Sequence, residues 1–280
     1  MTPKTLLLAL LFGSASVLAA PMGAAPDLSG GVVNVPPTLV SVTLGSSSLT
    51  PTAGTTTSLV TTIVVSDLNG FNDISSVLVT ILKPDGTTVH VAAAAASFVS
   101  GSGVQATYTK TSTMNYADAA ALTTSTYKVK VTATDSQGAA VNNLLSLGTF
   151  NYAQLAALNS PSSLDLGSSL SPGDTSAIGA LAISNYGNIQ IDTQVSGTAP
   201  AVTSPAATLP IGSVTYSLNS NMASSSALST SAVTAGSFDL GAGVGNSKNL
   251  YWQMAVPTGA SQYVPAGTYT STVTVTAVAG

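Results

Sequence analysis

Short stretches of alternating apolar and polar residues, separated by turn-forming residues, recur along the chain. In residues 127–134, Tyr127, Val129 and Val131 alternate with lysine and threonine. A strand with one buried face has this period of two, whereas an amphipathic helix has a period near 3.6. Comparable runs occupy residues 57–67, 74–83, 87–93 and 104–112. The pattern predicts an all-β chain of antiparallel sheets that pack face to face as β-sandwiches.

Two short segments contain the residues that connect strands. Pro84 suits the second position of a turn and Gly86 suits a left-handed position, so residues 74–93 are expected to form a hairpin. The sequence Asn-Tyr-Gly-Asn at residues 185–188 is expected to act as the turn between two later strands.

The proline and the other turn formers of residues 150–167 favour a domain boundary near residues 150–155. Period-two alternation resumes around residues 189–195 and 250–256, and the only tryptophan, Trp252, is expected in a core there. The sequence therefore predicts two tandem antiparallel β-sandwich domains, at residues 36–152 and 153–280.

The first 35 residues differ from the rest of the chain. Residues 1–19 contain one lysine, an apolar run and small residues before a plausible cleavage point, which is the pattern of a secretory signal peptide. The run is shorter than the roughly 20 apolar residues of a membrane-spanning helix. We therefore expect an extracellular or cell-surface protein whose mature chain has no membrane span. Residues 20–35, rich in proline and glycine, are expected to form an extended segment.

Charge is scarce in this chain. Charged residues make up 6% of it, all the acids are aspartate, all the bases are lysine, and the net charge is −4. Serine and threonine, about 28% of the residues, provide the hydrophilic surface instead. Without a basic patch, neither nucleic acid nor an anionic membrane is an expected partner. The absence of cysteine excludes disulfides, thiol catalysis and cysteine-bound metals.

Few residues could support acid–base catalysis near neutral pH. His90, the one histidine, alternates with Val89 and Val91 and is therefore expected to face solvent. No two aspartates lie in an aromatic-rich setting of the kind that glycosidases use. We expect no catalytic residue, no cofactor and no enzymatic activity.

The segment Asp-Leu-Asn-Gly-Phe-Asn-Asp contains the best candidate metal ligands. The oxygens of Asp67, Asn69 and Asp73 are of the type that calcium prefers. Their spacing differs from that of the twelve-residue calcium loop, and the chain has no glutamate to close such a loop. An ordinary turn rich in aspartate and asparagine explains the same residues. The sequence leaves calcium binding open and predicts no metal site.

The chain ends on an alternating strand. Val273, Val275 and Ala277 form one stripe and threonines form the other. Natural sheets usually protect their edges with charge, proline or bulges, and this strand contains neither charge nor proline. The sparse charge permits subunits to associate through such an edge.

Residues 27–37 are the candidate segment for donation to another subunit. Leu28, Val32, Val33 and Val35 are apolar enough to enter an open groove in a neighbouring molecule. A disordered leader before the first strand explains these residues equally well.

Two parts of the sequence resemble known families. SDLNGFNDISSVLVTI and STYKVKVTATDSQGAAV resemble the immunoglobulin-like and fibronectin-III-like modules of secreted prokaryotic surface proteins, over about residues 36–150. This resemblance implies an immunoglobulin-like sandwich and no particular activity. ISNYGNIQIDTQVSG and AGTYTSTVTVTA resemble the TasA-like subunits of archaeal and bacterial surface filaments, over about residues 165–280.

In the TasA-like family, an extended segment of one subunit completes a sheet of the next. The resemblance implies a secreted structural subunit of a filament, pilus, thread or cell-surface layer. Its partners would be copies of itself or other surface proteins. A cell-surface adhesin or carbohydrate-binding β-sandwich protein is the alternative.

Overall fold

A computed structural model describes residues 31–120, 126–243, 245–258 and 263–280, and the side chains within these ranges except those of residues 142–147. The chain divides into two compact units, Met1–Asn34 and Val35–Gly280. The described part of the first unit, residues 31–34, contains no strand. The predicted signal peptide, residues 1–19, lies outside the described residues.

The regular secondary structure described in the second unit is strand, apart from two short 3₁₀ turns, so the prediction of an all-β fold is confirmed. The described residues outside the strands include two 3₁₀ turns, Phe71–Asp73 and Ile211–Ser213. The strands are β1 Thr38–Leu44, β2 Ser48–Leu49, β3 Thr56–Ser66, β4 Ile74–Leu82, β5 Val89–Ala95, β6 Ser97–Ser102, β7 Gln105–Asn115, β8 Tyr127–Asp135, β9 Ala140–Tyr152, β10 Leu158–Asn159, β11 Gly179–Asn185, β12 Ile191–Gly197, β13 Ala201–Thr203, β14 Ala206–Thr208, β15 Val214–Ser217, β16 Ser226–Ala227, β17 Val233–Thr234, β18 Ser247–Met254 and β19 Val273–Ala279.

The first nine strands form two sheets, which we call the N-terminal sheets. Their orders are β1-β3-β7-β6 and β2-β9-β8-β4-β5, and every pairing is antiparallel except the short one between β2 and β9. Residues 83–88 connect β4 to β5 in a hairpin, as the sequence predicts, and Gly86 in this connection has a φ of 75°. Strand β6 and the length of β9 were not evident from the sequence, because neither run alternates regularly.

One hydrophobic core receives side chains from both N-terminal sheets. In β3, Leu59, Ile63 and Val65 are buried while the neighbouring positions are more exposed. In β8, every second residue from Tyr127 onwards is buried. The observed faces therefore follow the alternation of the sequence.

Tyr127 lies at the centre of an aromatic cluster in this core. Its ring stacks on Phe150 with 5.4 Å between centroids and meets Tyr152 edge-on at 6.3 Å. Its hydroxyl donates a hydrogen bond of 2.9 Å to the backbone oxygen of Ala119. Burial, with a smaller contribution from the charge of Asp118, raises the pKa of Tyr127 to about 12. The folded state therefore favours the protonated phenol.

We predict that the protein loses stability as the pH rises from about 10 to about 12. An unfolded tyrosine releases its proton near pH 10, whereas folded Tyr127 retains it to about pH 12, so hydroxide favours unfolding in this window. Below pH 10 both states are protonated and the contribution is constant. Urea unfolding at pH 8, 10 and 11.5 measures this effect.

The Tyr127→Phe variant should lose less stability than the wild type between pH 10 and 11.5. Tyr263→Phe is the matched control, because the side chain of Tyr263 is 71% exposed, and it should retain the wild-type profile. Identical pH profiles for Tyr127→Phe and the wild type would contradict the prediction.

The remaining described strands form the C-terminal sheets, and none of them pairs with a described strand of the N-terminal sheets. Their orders are β10-β11-β18-β15-β16, β17-β12-β19 and β13-β14. The first two contribute to a second hydrophobic core that includes Trp252, which is 2% exposed and lies 5.4 Å from the ring of Tyr216. Trp252 is therefore a core residue, as expected, and does not present a surface for stacking on a sugar.

Residues 185–188 lie between β11 and β12, as the sequence predicts, but the two strands do not pair as a hairpin. Strands β11 and β12, which they connect, belong to different sheets. The Asn185 side chain instead donates hydrogen bonds to the backbone oxygens of Ile189, Leu240 and Gly241. A polar turn can join two strands of one hairpin or two strands of different sheets. Here β11 pairs with β18, so the turn joins strands of different sheets.

The Asn185–Asn188 segment also holds the connector between the two sets of sheets, residues 153–157. Asn188 donates from Nδ2 to the oxygen of Ala153 (2.8 Å) and accepts at Oδ1 from the N–H of Leu155 (2.7 Å). The N–H of Asn188 donates to the oxygen of Leu155 (3.0 Å). We call these contacts the connector clamp.

Gly187 allows the close approach that the connector clamp requires. A Cβ atom at this position would lie 2.1 Å from the backbone oxygen of Leu155, which is far inside van der Waals contact. We predict that Gly187→Ala destabilises the protein by about 1–3 kcal/mol, the usual cost of forcing atoms into a packed site. In Gly212→Ala, the matched control, the nearest atom would be 3.8 Å away. Urea unfolding compares the two, and equal midpoints would refute the prediction.

Candidate functional site: an open sheet edge

Strand β19 lies at the edge of a three-stranded sheet. It pairs with β12 in a continuous register from Ile191↔Ala279 to Gly197↔Val273. In the order β17-β12-β19, no described strand lies on its other side. One long side of β19 is therefore open to a further strand.

The side chains of β19 show the effect of the missing neighbour. Residues directly opposite each other on antiparallel strands share a face. On β12 the residues of the inward face, Ile191, Thr193 and Val195, are fully buried, but their partners on β19 are half-buried or exposed. Val273, Val275 and Ala277 pack against the second core on one side only. The second core covers this apolar stripe from one side, and no described strand covers it on the side beyond the sheet edge.

The backbone groups that face the open side can be deduced from the register. Gly280 N–H donates to Gln190 oxygen (3.1 Å), and Thr198 N–H donates to Thr272 oxygen (2.9 Å). Hydrogen-bonded and non-hydrogen-bonded pairs alternate along antiparallel strands, so the even-numbered residues of β19 bond to β12. The outward-facing N–H and C=O groups are those of Val273, Val275, Ala277 and Ala279.

Strand β19 also lacks the features that usually protect a sheet edge. It contains no charged residue and no proline over 7 residues, and its register with β12 has no bulge. The longer edge strands β1, β5 and β6 each have an irregular register with their neighbour. The other described edge strands are 2 or 3 residues long. Among the described residues, β19 is thus the one long, regular edge.

The structure describes three of the four predicted donor residues. Leu28 lies outside the described residues. Val32 and Val33 are 90% and 79% exposed, and residues 31–37 form no strand. Val35 begins the second unit, where its N–H donates to Oδ1 of Asn69 (2.8 Å). The three described residues, Val32, Val33 and Val35, do not form a strand or a site in the single chain.

The candidate calcium ligands are partly brought together. Asp67 and Asp73 lie close to each other and to Asp135, which the sequence interpretation missed. Asn69 accepts the hydrogen bond from Val35 with its side-chain oxygen. The missed residue had a signal in the sequence, since the alternation of β8 extended by one step places Asp135 on the buried face.

His90 does not face solvent as expected. Its Nε2 lies 2.9 Å from Oδ2 of Asp118, and its ring lies 5.2 Å from that of Tyr127. Alternation alone placed it opposite Val89 and Val91, but β5 is an edge strand whose register with β4 is irregular.

Comparison with known proteins finds no family model that matches this chain and no curated protein with significant similarity to it. Among the described residues, no helix is long and apolar enough to cross a membrane.

The outward-facing groups of β19 can be tested with a pair of proline substitutions. Proline removes one N–H, and sheets tolerate it where that N–H faces outward. We predict that Thr276→Pro, which breaks a bond to β12, destabilises the protein by about 1–3 kcal/mol more than Ala277→Pro. Both variants impose the same restriction on φ, so the comparison isolates the lost bond. Equal losses in urea unfolding would show that the inferred bonding pattern is wrong.

Proposed function

We propose that this protein is a secreted structural subunit of an extracellular filament or cell-surface layer. In this proposal residues 1–19 are a signal peptide, and residues 36–152 and 153–280 are tandem immunoglobulin-like β-sandwiches. Copies of the chain associate when a strand of one subunit adds to β19 of the next. The observation that carries the proposal is the long, regular and uncharged open edge of β19.

Strand addition at β19 would satisfy two needs at once. It would pair the outward backbone groups of four residues, and it would cover the half-buried stripe of Val273, Val275 and Ala277. Main-chain hydrogen bonds would supply affinity that is independent of side chains, while the apolar stripe would select small aliphatic residues. The exposed threonine face would stay in contact with water.

Residues 27–37 are the proposed donor. At about 3.3 Å per residue, eleven extended residues are longer than the seven of β19. Period-two geometry places Val33 and Val35 on one face and Leu28 and Val32 on the other. Either pair would match the small apolar side chains of the β19 stripe.

The sparse charge of the chain favours association between identical molecules. Like subunits repel each other less when charged residues are few, and only 6% of these residues are charged. Strand β19 itself has none. No lysine therefore has to lose its water when β19 becomes buried in a contact.

Substitutions at Ala277 test the acceptor edge. Ala277→Pro removes an outward N–H and should abolish polymers of the purified chain under negative-stain microscopy, with the monomer still folded by circular dichroism. Ala277→Ser keeps the N–H and should polymerise like the wild type. Polymers of normal length from Ala277→Pro would overturn the assignment of β19 as the acceptor.

Deletion of residues 20–35 tests the donor. The shortened chain should remain monomeric, and it should be unable to extend polymers of the intact chain. Its own β19 is intact, so it should cap a growing polymer at one end. Unchanged filaments would reject the donor segment. An intact chain that stays monomeric and binds a glycan would reject the proposed function and favour an adhesin.

A further inference from the structure

Three aspartates from two distant segments of the chain meet at one end of the N-terminal sheets. Asp67 follows β3, Asp73 ends the 3₁₀ turn before β4, and Asp135 is the last residue of β8. One carboxylate oxygen from each lies within 4.8 Å of the other two. We call this group the aspartate triad.

Strand geometry drives two of the three carboxylates into the interior. The buried positions of β3 alternate through Ile63 and Val65, and the next position inward is Asp67. The buried positions of β8 alternate through Val131 and Ala133 to Asp135 in the same way. Asp67 and Asp135 are each 1% exposed. Because β3 and β8 belong to different sheets, the two carboxylates approach each other from both sheets.

One oxygen of the Asp67 carboxylate has no partner among the described residues. Its Oδ1 accepts a hydrogen bond of 2.8 Å from the N–H of Asn69, whereas its buried Oδ2 accepts none from any described group. Buried polar atoms are nearly always hydrogen-bonded, and a buried carboxylate oxygen is especially costly to leave unpaired. The free oxygen belongs to the carboxylate that faces the two other acids of the triad.

The negative charges of Asp67 and Asp73 are not neutralised by an ion pair with any described residue. Among the described residues, no lysine forms an ion pair with either, and Asp73 receives a hydrogen bond from the hydroxyl of Ser136. Asp135 accepts from the N–H groups of Gln137 (2.9 Å) and Ala139 (2.8 Å). These bonds orient the carboxylates but do not remove the repulsion among three acids at this distance.

We propose that Asp67, Asp73 and Asp135 bind one calcium ion. Two oxygens that bind the same calcium at about 2.4 Å can be at most about 4.8 Å apart, and all three pairs in the triad meet this limit. The ion supplies the partner that Oδ2 of Asp67 lacks and cancels the repulsion. Water or backbone carbonyl groups complete the 6–8 ligands that calcium takes.

The chemistry of the triad favours calcium over other metals. All three ligands are hard carboxylate oxygens, and the chain has no cysteine for zinc or copper. Its one histidine contacts Asp118 instead. Magnesium keeps several of its waters and demands a regular octahedron, so a set of three carboxylates, two of them buried, suits the more flexible calcium shell.

Calcium here would link the two N-terminal sheets. It would join the end of β3 to β4 and β8, and it would fix the segment from Asp67 to Asp73. Asn69 in that segment accepts the hydrogen bond from Val35, the residue at which the second unit begins. None of its three ligands lies on β19, so calcium binding can be measured separately from strand addition at that edge.

Calcium titration of the chelator-treated full chain tests the proposal. Calorimetry should detect one calcium ion per chain, and calcium at about 100 times its dissociation constant should raise the thermal midpoint by about 5–10 °C. Magnesium at the same concentration should raise it by less than half as much. An absence of binding at 10 mM calcium, or an equal shift with magnesium, would overturn the assignment.

The Asp67→Asn variant separates a metal site from a structural turn. Its amide can still accept from Asn69, and it removes one of the three charges, so in chelator it should unfold no earlier than the wild type. The shift caused by calcium should disappear in Asp67→Asn and in Asp135→Asn. Asp165→Asn makes the same change at an exposed turn and should keep the full shift. A calcium shift that persists in Asp67→Asn would refute the site.

Discussion

A β-strand has to bury its apolar side chains and pair its backbone groups at the same time, and at the edge of a sheet it cannot do both alone. Most edges in this chain avoid the problem because their strands are very short or irregular in register. β19 does not avoid it, since it keeps a regular ladder on one side and an incompletely covered apolar stripe on the other. The proposed assembly would pair the outward backbone groups of β19 and cover its apolar stripe.

The alternation that places apolar side chains in the cores also places two carboxylates, those of Asp67 and Asp135, in the protein interior. An inward stripe of apolar residues on β3 ends at Asp67, and another on β8 ends at Asp135. Once the two sheets pack, both acids must share one small volume with Asp73. Repulsion among the three carboxylates is the physical reason to propose a cation here. Strand periodicity brings Asp135 from β8 to the segment that contains Asp67 and Asp73, so the proposed site is not one continuous binding loop.

Period-two patterning was sufficient to predict the all-β class, the β4–β5 hairpin and the inward face of β8. It could not predict which strands pair, because pairing depends on contacts between distant segments. For this reason the sequence places a turn at residues 185–188 but does not show that β11 pairs with β18. Asp135 was overlooked for a similar reason, since it lies more than sixty residues from Asp73 along the chain. His90 shows that alternation is least informative on an edge strand with an irregular register.

The connector clamp has a mechanical consequence for any thread built from this chain. The segment between the two sets of sheets is held by Asn188 through both its side chain and its backbone. Pulling on the two ends of a subunit therefore loads several hydrogen bonds together before the connector can lengthen. Such a subunit resists the first stretch as a stiff link and yields only when those bonds rupture, so elasticity would come from the junctions between neighbours.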